Sequence, residues 1–500
     1  MKQRRVILGA CLLLLLCVES SAQTVSIEAE EWAYQYAPLG RAAALSWEDF
    51  ARLSLYVSGA NLSTPEGRRY EEALFRAVNQ FLSMKDMPAD ITQRGEYILS
   101  YLYKTLLKSY SERQTRVDIA VGSGDYNCVS SAVLYSIFAR AAGLDVRAVV
   151  TQDHAFVTLN AGSAASPKLI DVETTSEYGF NPGSKKEFLD SFGRTGFVYS
   201  EPGNYKDRAA ISSFELASLI LTNRISELGT RVFETLPLAA NRAVLLSQRT
   251  SPVDSPLFVD SQGDFYDRIL YAANTLGKNG QTAQMFQWTN RAFDIARQML
   301  SVSPTDARWE ERAYVALDTL LSLLLNNQQA AQARQTLLAY RNFVNRSHYA
   351  ALDAKVLDGE RWLVERDLIQ KLNAVRTLHD AEAALLAINE AATVLAPSRI
   401  AELRNSFLVQ EANLVMQEKG LHEAIIFAES VLAQYGRNTV LERNLQAYRS
   451  NRVAELHNRF ADLWNSGNRS GAYAFIQDAL REFPDNRQLQ QDKSIVDQYR

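Results

Sequence analysis

A chain of 500 residues with 47% hydrophobic and 22% charged side chains has apolar material for more than one core. Its net charge of −4 comes from 53 basic and 57 acidic residues, with no Lys/Arg block or basic–aromatic stripe, which excludes the electrostatic footprint of a nucleic-acid binder. No P-loop, dinucleotide fingerprint or zinc-ligand spacing occurs, so neither a cofactor nor a metal is expected.

Residues 1–22 have the pattern of a signal peptide. Lys2, Arg4 and Arg5 precede an apolar run over 6–18, and Ser20-Ser21-Ala22 supplies a small-residue cleavage site. That run is about 13 residues, short of the ~20 that a membrane-spanning helix needs, so no span is expected. A lipid anchor at Cys11 or Cys17 is the weaker alternative: Cys11 leaves too short an apolar run, and Leu16 is bulky for the position before Cys17. Cleavage near Ala22 yields an extracytoplasmic protein, periplasmic or secreted, whose single cysteine is Cys128 and which has no internal disulfide to form.

Apolar periodicity predicts helices over 47–57, 67–84 and 91–110, the second opened by Ser63-Thr64-Pro65-Glu66. A further helix begins at Cys128, after Gly122-Ser123-Gly124, and ends at Gly143. The period then changes to two over 146–150, 155–159 and 168–175, and the small polar loop 161–167 joins the last two as a hairpin. Gly-, Pro- and Ser-rich turns over 179–203 close an α+β domain assigned to 23–208.

From 209 to 500 almost every window reads as amphipathic helix, making the chain helix-dominated as a whole. Turns such as Asn279-Gly280, Asn326-Asn327, Gly420 and Gly467 precede Ala-rich helices. Small residues let stacked helical hairpins approach closely. The steps between Ala283, Ala330, Ala383, Ala424 and Ala472 are 47, 53, 41 and 48 residues, against ~34 in a regular tetratricopeptide repeat. The region resembles tetratricopeptide hairpins in degenerate form, most clearly over 451–486.

Cys128 has the surroundings that a nucleophilic thiol needs. A free thiol with pKa ~8.5 is mostly protonated at neutral pH, and a helix N-terminus or a neighbouring imidazolium lowers that value. His154, the only histidine before residue 348, stands at the head of a strand. Asp171 and Glu173 share one face of the next strand, and either is positioned to hold the imidazole. The helix N-terminus offers N–H groups to an oxyanion, and Asn127 or Tyr126 is the candidate side chain beside it. The competing interpretation is a small buried hydrophobe at Cys128.

The order Gly124-Asp125-Tyr126-Asn127-Cys128, Ala141-Ala142-Gly143-Leu144-Asp145-Val146-Arg147, His154-Ala155-Phe156 and Ile170-Asp171-Val172-Glu173 resembles the core of the transglutaminase-like superfamily. The resemblance covers about 60 residues and implies a papain-like fold, with Cys128 as nucleophile, His154 as base and Asp171 as orienting acid. Phe156 stands where the family has Trp, and no Trp precedes the acid strand.

The expected protein is an exported transglutaminase-like cysteine enzyme acting on amide bonds of a protein or peptide. It would hydrolyse or transfer the acyl group through a thioester, while a protein partner docks on the helical repeats. The alternative is a catalytically inactive relative working as a protein–protein interaction module of the cell envelope.

Overall fold

The computed structural model describes residues 27–41, 45–151, 154–163, 165–182, 208–247 and 256–499. The expected signal at 1–22, with Cys11 and Cys17, and most of the turn-rich stretch 179–203 lie outside them. Helices dominate and the sheets are small. The chain divides into two compact units, Met1–Leu320 and Leu321–Arg500.

The first unit opens with α1 (Glu31–Tyr36), a 3-10 turn (Ala37–Arg41), α2 (Trp47–Ser58), α3 (Pro65–Leu82) and α4 (Ile91–Thr105). Side-chain oxygens of Ser46, Thr64 and Asp90 accept hydrogen bonds from the N3 amides of α2, α3 and α4, satisfying donors that a helix start leaves free. The helix expected over 91–110 stops at Thr105, because Tyr110 enters β1 (Ser109–Tyr110). After α5 (Val117–Gly122), β2 (Asp125–Tyr126) pairs with β1 in parallel, with Tyr110 opposite Tyr126.

The central element is α6 (Cys128–Ala141), in which every residue from Val129 to Ala139 is buried. Its Phe138 ring packs 5.7 Å from Phe81 and 5.8 Å from Tyr101. Burying an aromatic side chain of this size stabilises by roughly 1.5–3 kcal/mol. The fully buried Tyr135 satisfies its hydroxyl by donating to the Gly95 carbonyl at 3.0 Å.

Beside α6 lies an antiparallel sheet ordered β5-β4-β3-β6, built from β3 (Val146–Val150), β4 (Ala155–Asn160), β5 (Leu169–Val172) and β6 (Ala209–Ile211). The strand expected over 168–175 leaves the ladder after Val172, where Glu173 N–H donates instead to Gly179 O at 2.8 Å. The boundary expected between 208 and 209 falls immediately before an edge strand of this sheet. The next helix, α7 (Ser213–Leu228), packs on α2 and α6, so these elements belong to the first unit. Three residues of edge strand are too few to show a period-two pattern.

The first unit continues through α8 (Val232–Leu245), α9 (Pro256–Lys278) and α10 (Thr282–Val302) to α11 (Ala307–Asn326). Thereafter come α12 (Ala330–Tyr340), α13 (Arg346–Ala374), α14 (Leu378–Ala391), α15 (Pro397–Lys419), α16 (Leu421–Tyr435), α17 (Thr439–Asn465), α18 (Arg469–Glu482) and α19 (Arg487–Gln498). From α12 on, consecutive helices pack on one another. The expected turns at Asn279-Gly280, Asn326-Asn327, Gly420 and Gly467 each separate two helices. Ala384, Ala424, Ala428, Ala472 and Ala479 are buried in helix contacts as expected of small residues, whereas Ala283, Ala383 and Ala433 are exposed. No helix among the described residues is long and apolar enough to cross a membrane.

Candidate active site

Cys128 is delivered to its place by the β1–β2 pair. Ser111 N–H donates to Tyr126 O at 2.8 Å, and the chain then turns into α6 at Asn127. The Asn127 side-chain oxygen accepts from Val129 N–H at 3.0 Å and Ser130 N–H at 3.1 Å, while Ser130 Oγ accepts from Asn127 N–H at 2.9 Å. This reciprocal cap makes Cys128 the first residue of the helix, partly exposed, at the positive end of the dipole.

Asn127 is therefore held from both ends. Its amide nitrogen donates to Glu112 O at 3.1 Å, so the side chain also pins the preceding loop. Tyr126 is likewise engaged, buried with its hydroxyl donating to Tyr103 OH at 3.0 Å, which in turn donates to Thr174 O at 3.0 Å. The Tyr126 hydroxyl proton is thus committed to Tyr103, and among the described residues the Cys128 N–H is the first-turn backbone donor outside the Asn127 cap.

His154 lies just before β4, and its Nε2 is 2.7 Å from Glu173 Oε2. The other Glu173 oxygen accepts from Thr175 N–H at 3.0 Å and Thr175 Oγ1 at 2.6 Å. With Nε2 engaged by Glu173, Nδ1 is the ring nitrogen left toward other partners, and Cys128 lies close enough to act on the imidazole's protonation. Burial by itself pushes the imidazolium down. The hydrogen bonds to Cys128 and Glu173, and the negative charge of both, outweigh it and raise the His154 pKa to about 10.

Asp171, the acid that the family resemblance assigns to His154, does not hold the imidazole. Its carboxylate accepts a bidentate pair of hydrogen bonds from Arg208, at 2.8 and 3.1 Å. The ladder explains the exchange: Thr158 lies opposite Asp171 and Val157 opposite Val172, so position 173 falls across from 156. From there a diagonal reach of ~7–8 Å to position 154 suits the longer glutamate side chain. Glu173, the rival candidate, is the carboxylate that contacts the imidazole.

Several participants carry no separable signal in the sequence. Ser131 Oγ and Thr174 Oγ1 are 2.8 Å apart and buried, tying the first turn of α6 to the turn that carries Glu173. Gly179 is required by that same turn, since a Cβ there would lie 1.9 Å from Glu173 O. Tyr110 forms a half-exposed wall beside the sulfur, its ring 5.8 Å from Tyr126 and edge-on to it. Burial, and then the charges of Cys128, Glu112 and Glu173, push its phenol up to about 12. A serine inside an apolar helix and a Thr-Thr pair after an acid were the available hints. Compared with models of known protein families and with curated proteins, the chain matches none.

Proposed function

We propose that this chain is a transglutaminase-like cysteine enzyme that attacks an amide carbonyl of a protein or peptide. A papain-like α+β domain carries the site, and a tetratricopeptide-like array from α12 onward docks the protein substrate. The observation that supports this most is the His154–Glu173 hydrogen bond beside Cys128, with the sulfur at the start of a buried helix. The signal-like pattern of 1–22 supports work outside the cytoplasm.

The Cys128 thiolate adds to the carbonyl carbon, and the C=O electron pair moves onto oxygen beside the Cys128 N–H and the positive end of α6. As the tetrahedral adduct collapses, the C–N bond breaks and the departing amine takes the proton from His154, leaving a thioester and a neutral imidazole. Water or a second amine then attacks the thioester, giving its proton to His154, and the thiolate leaves. Hydrolysis and acyl transfer differ only in that second nucleophile. Glu173 fixes the ring orientation and stabilises the imidazolium without being protonated.

The test is the pH dependence of Cys128 alkylation by iodoacetamide in the wild type and in His154→Ala. An activated pair reacts well below pH 8 and loses that reactivity in the variant. A thiol titrating near ~8.5 in both proteins sinks the nucleophile and leaves a binding module.

A further inference from the structure

Arg208 enters β6 from one edge of the sheet and reaches over the Phe156 ring of β4, 5.1 Å from its centroid, to Asp171 of β5 at the opposite edge. Phe156 in turn stacks on the His154 ring, with centroids 6.3 Å apart and planes 22° apart. Asp171 and Glu173 are two positions apart, on the same side as His154 and Phe156. Two carboxylates thus lie on the imidazole's side of the sheet, and Asp171, opposite a position farther along β4, is neutralised by Arg208.

We infer that Arg208 is a positioning residue: by engaging Asp171 it keeps a second negative charge off the nucleophile pair. This rests on the assignment of Cys128 and His154 as nucleophile and base. The groups facing the imidazole are Cys128 from α6 and Glu173 from the turn after β5. Asp171 and Arg208 form the next pair, and Tyr110 and Glu112 lie beyond the sulfur. Without Arg208, an ionised Asp171 favours the imidazolium and disfavours the thiolate, so both limbs of the reactivity profile move to higher pH. Without the Asp171 carboxylate, the uncompensated guanidinium moves them to lower pH.

The experiment uses the full chain and the rate of Cys128 alkylation by iodoacetamide as a function of pH. Arg208→Ala is expected to raise the His154-dependent limb by on the order of one pH unit, and Asp171→Asn to lower it by a similar amount. The double variant returns to the wild-type profile, and Arg208→Lys, which keeps the charge, stays close to it. Variants that lower the melting temperature yet leave the limb unmoved, or that move it in the same direction, overturn the inference. Should Arg208→Ala not fold, Asp171→Asn alone decides, since no downward shift is incompatible with the proposal. A wild-type profile indifferent to His154→Ala overturns this inference together with the functional proposal; a His154-dependent profile that no charge variant moves overturns this inference alone.

Discussion

Glu173 Oε2 lies 2.7 Å from His154 Nε2, and the same carboxyl group is held from its other side by Thr175. A buried carboxylate clamped in this way gives the imidazole one orientation. Glu173→Gln retains the shape and removes the charge. Alkylation of Cys128 at pH 6 should then fall on the order of 10²-fold, toward the ~0.3% ionisation of a thiol with pKa ~8.5. Retention of the wild-type rate would show that the acid is dispensable.

The raised pKa of His154 has a consequence for stability. The folded state binds this proton more tightly, with a pKa of about 10, than an unfolded imidazole at ~6.5. The stabilisation is complete below ~6.5 and is lost as pH rises toward 10. The difference in melting temperature between wild type and His154→Gln should therefore shrink between pH 6.5 and pH 10. Thermal unfolding followed by circular dichroism across that range measures it.

Asn127 supports both the helix start and the 111–114 loop through its hydrogen bond to Glu112 O. Asn127→Ala removes the cap and should cost about 1–2 kcal/mol, whereas Asn127→Asp keeps the acceptor and should cost less. Denaturant midpoints of the two variants decide; equal losses would assign the effect to the loop bond alone.

The Ser131–Thr174 contact joins α6 to the acid-bearing turn. Ser131→Ala and Thr174→Val should be non-additive in alkylation rate, with a coupling of roughly 0.5–3 kcal/mol in a double-mutant cycle. Strict additivity would mean that the two elements hold their places independently.

A methyl group at Gly179 would collide with the Glu173 carbonyl. Gly179→Ala should displace the turn, weaken the fold by about 1–3 kcal/mol and depress alkylation below pH 7. Normal reactivity in this variant would indicate that the acid is positioned by Thr175 rather than by the turn.

The comparison of sequence with structure is most instructive at the acid. Alternation alone put Asp171 and Glu173 on one face and left both open to His154. The decision came from the register of β4 on β5 and from Arg208, the last residue of the expected domain. At Asn127 the residue type pointed to a polar role at the helix start, but its use as a cap depends on where the helix begins. Tyr110 read as the end of a helix, and the partner that made it a strand is another two-residue segment.

What the amino-acid sequence determined by itself is local or periodic: most helix starts and turns, the β3–β4–β5 run, and the identity of Cys128 and His154 as a thiol and an imidazole worth pairing. These follow from capping chemistry and from the 3.6- and two-residue periods, which act over a few neighbours. What only the tertiary structure decided is which carboxylate faces the imidazole, which donors at the start of α6 are already committed, and that β6 and α7 belong with the sheet and α6 in the first unit. Each depends on a partner distant in the chain, as Arg208 is from Asp171 and Ser131 from Thr174, and its energy exists only once packing has brought the two together.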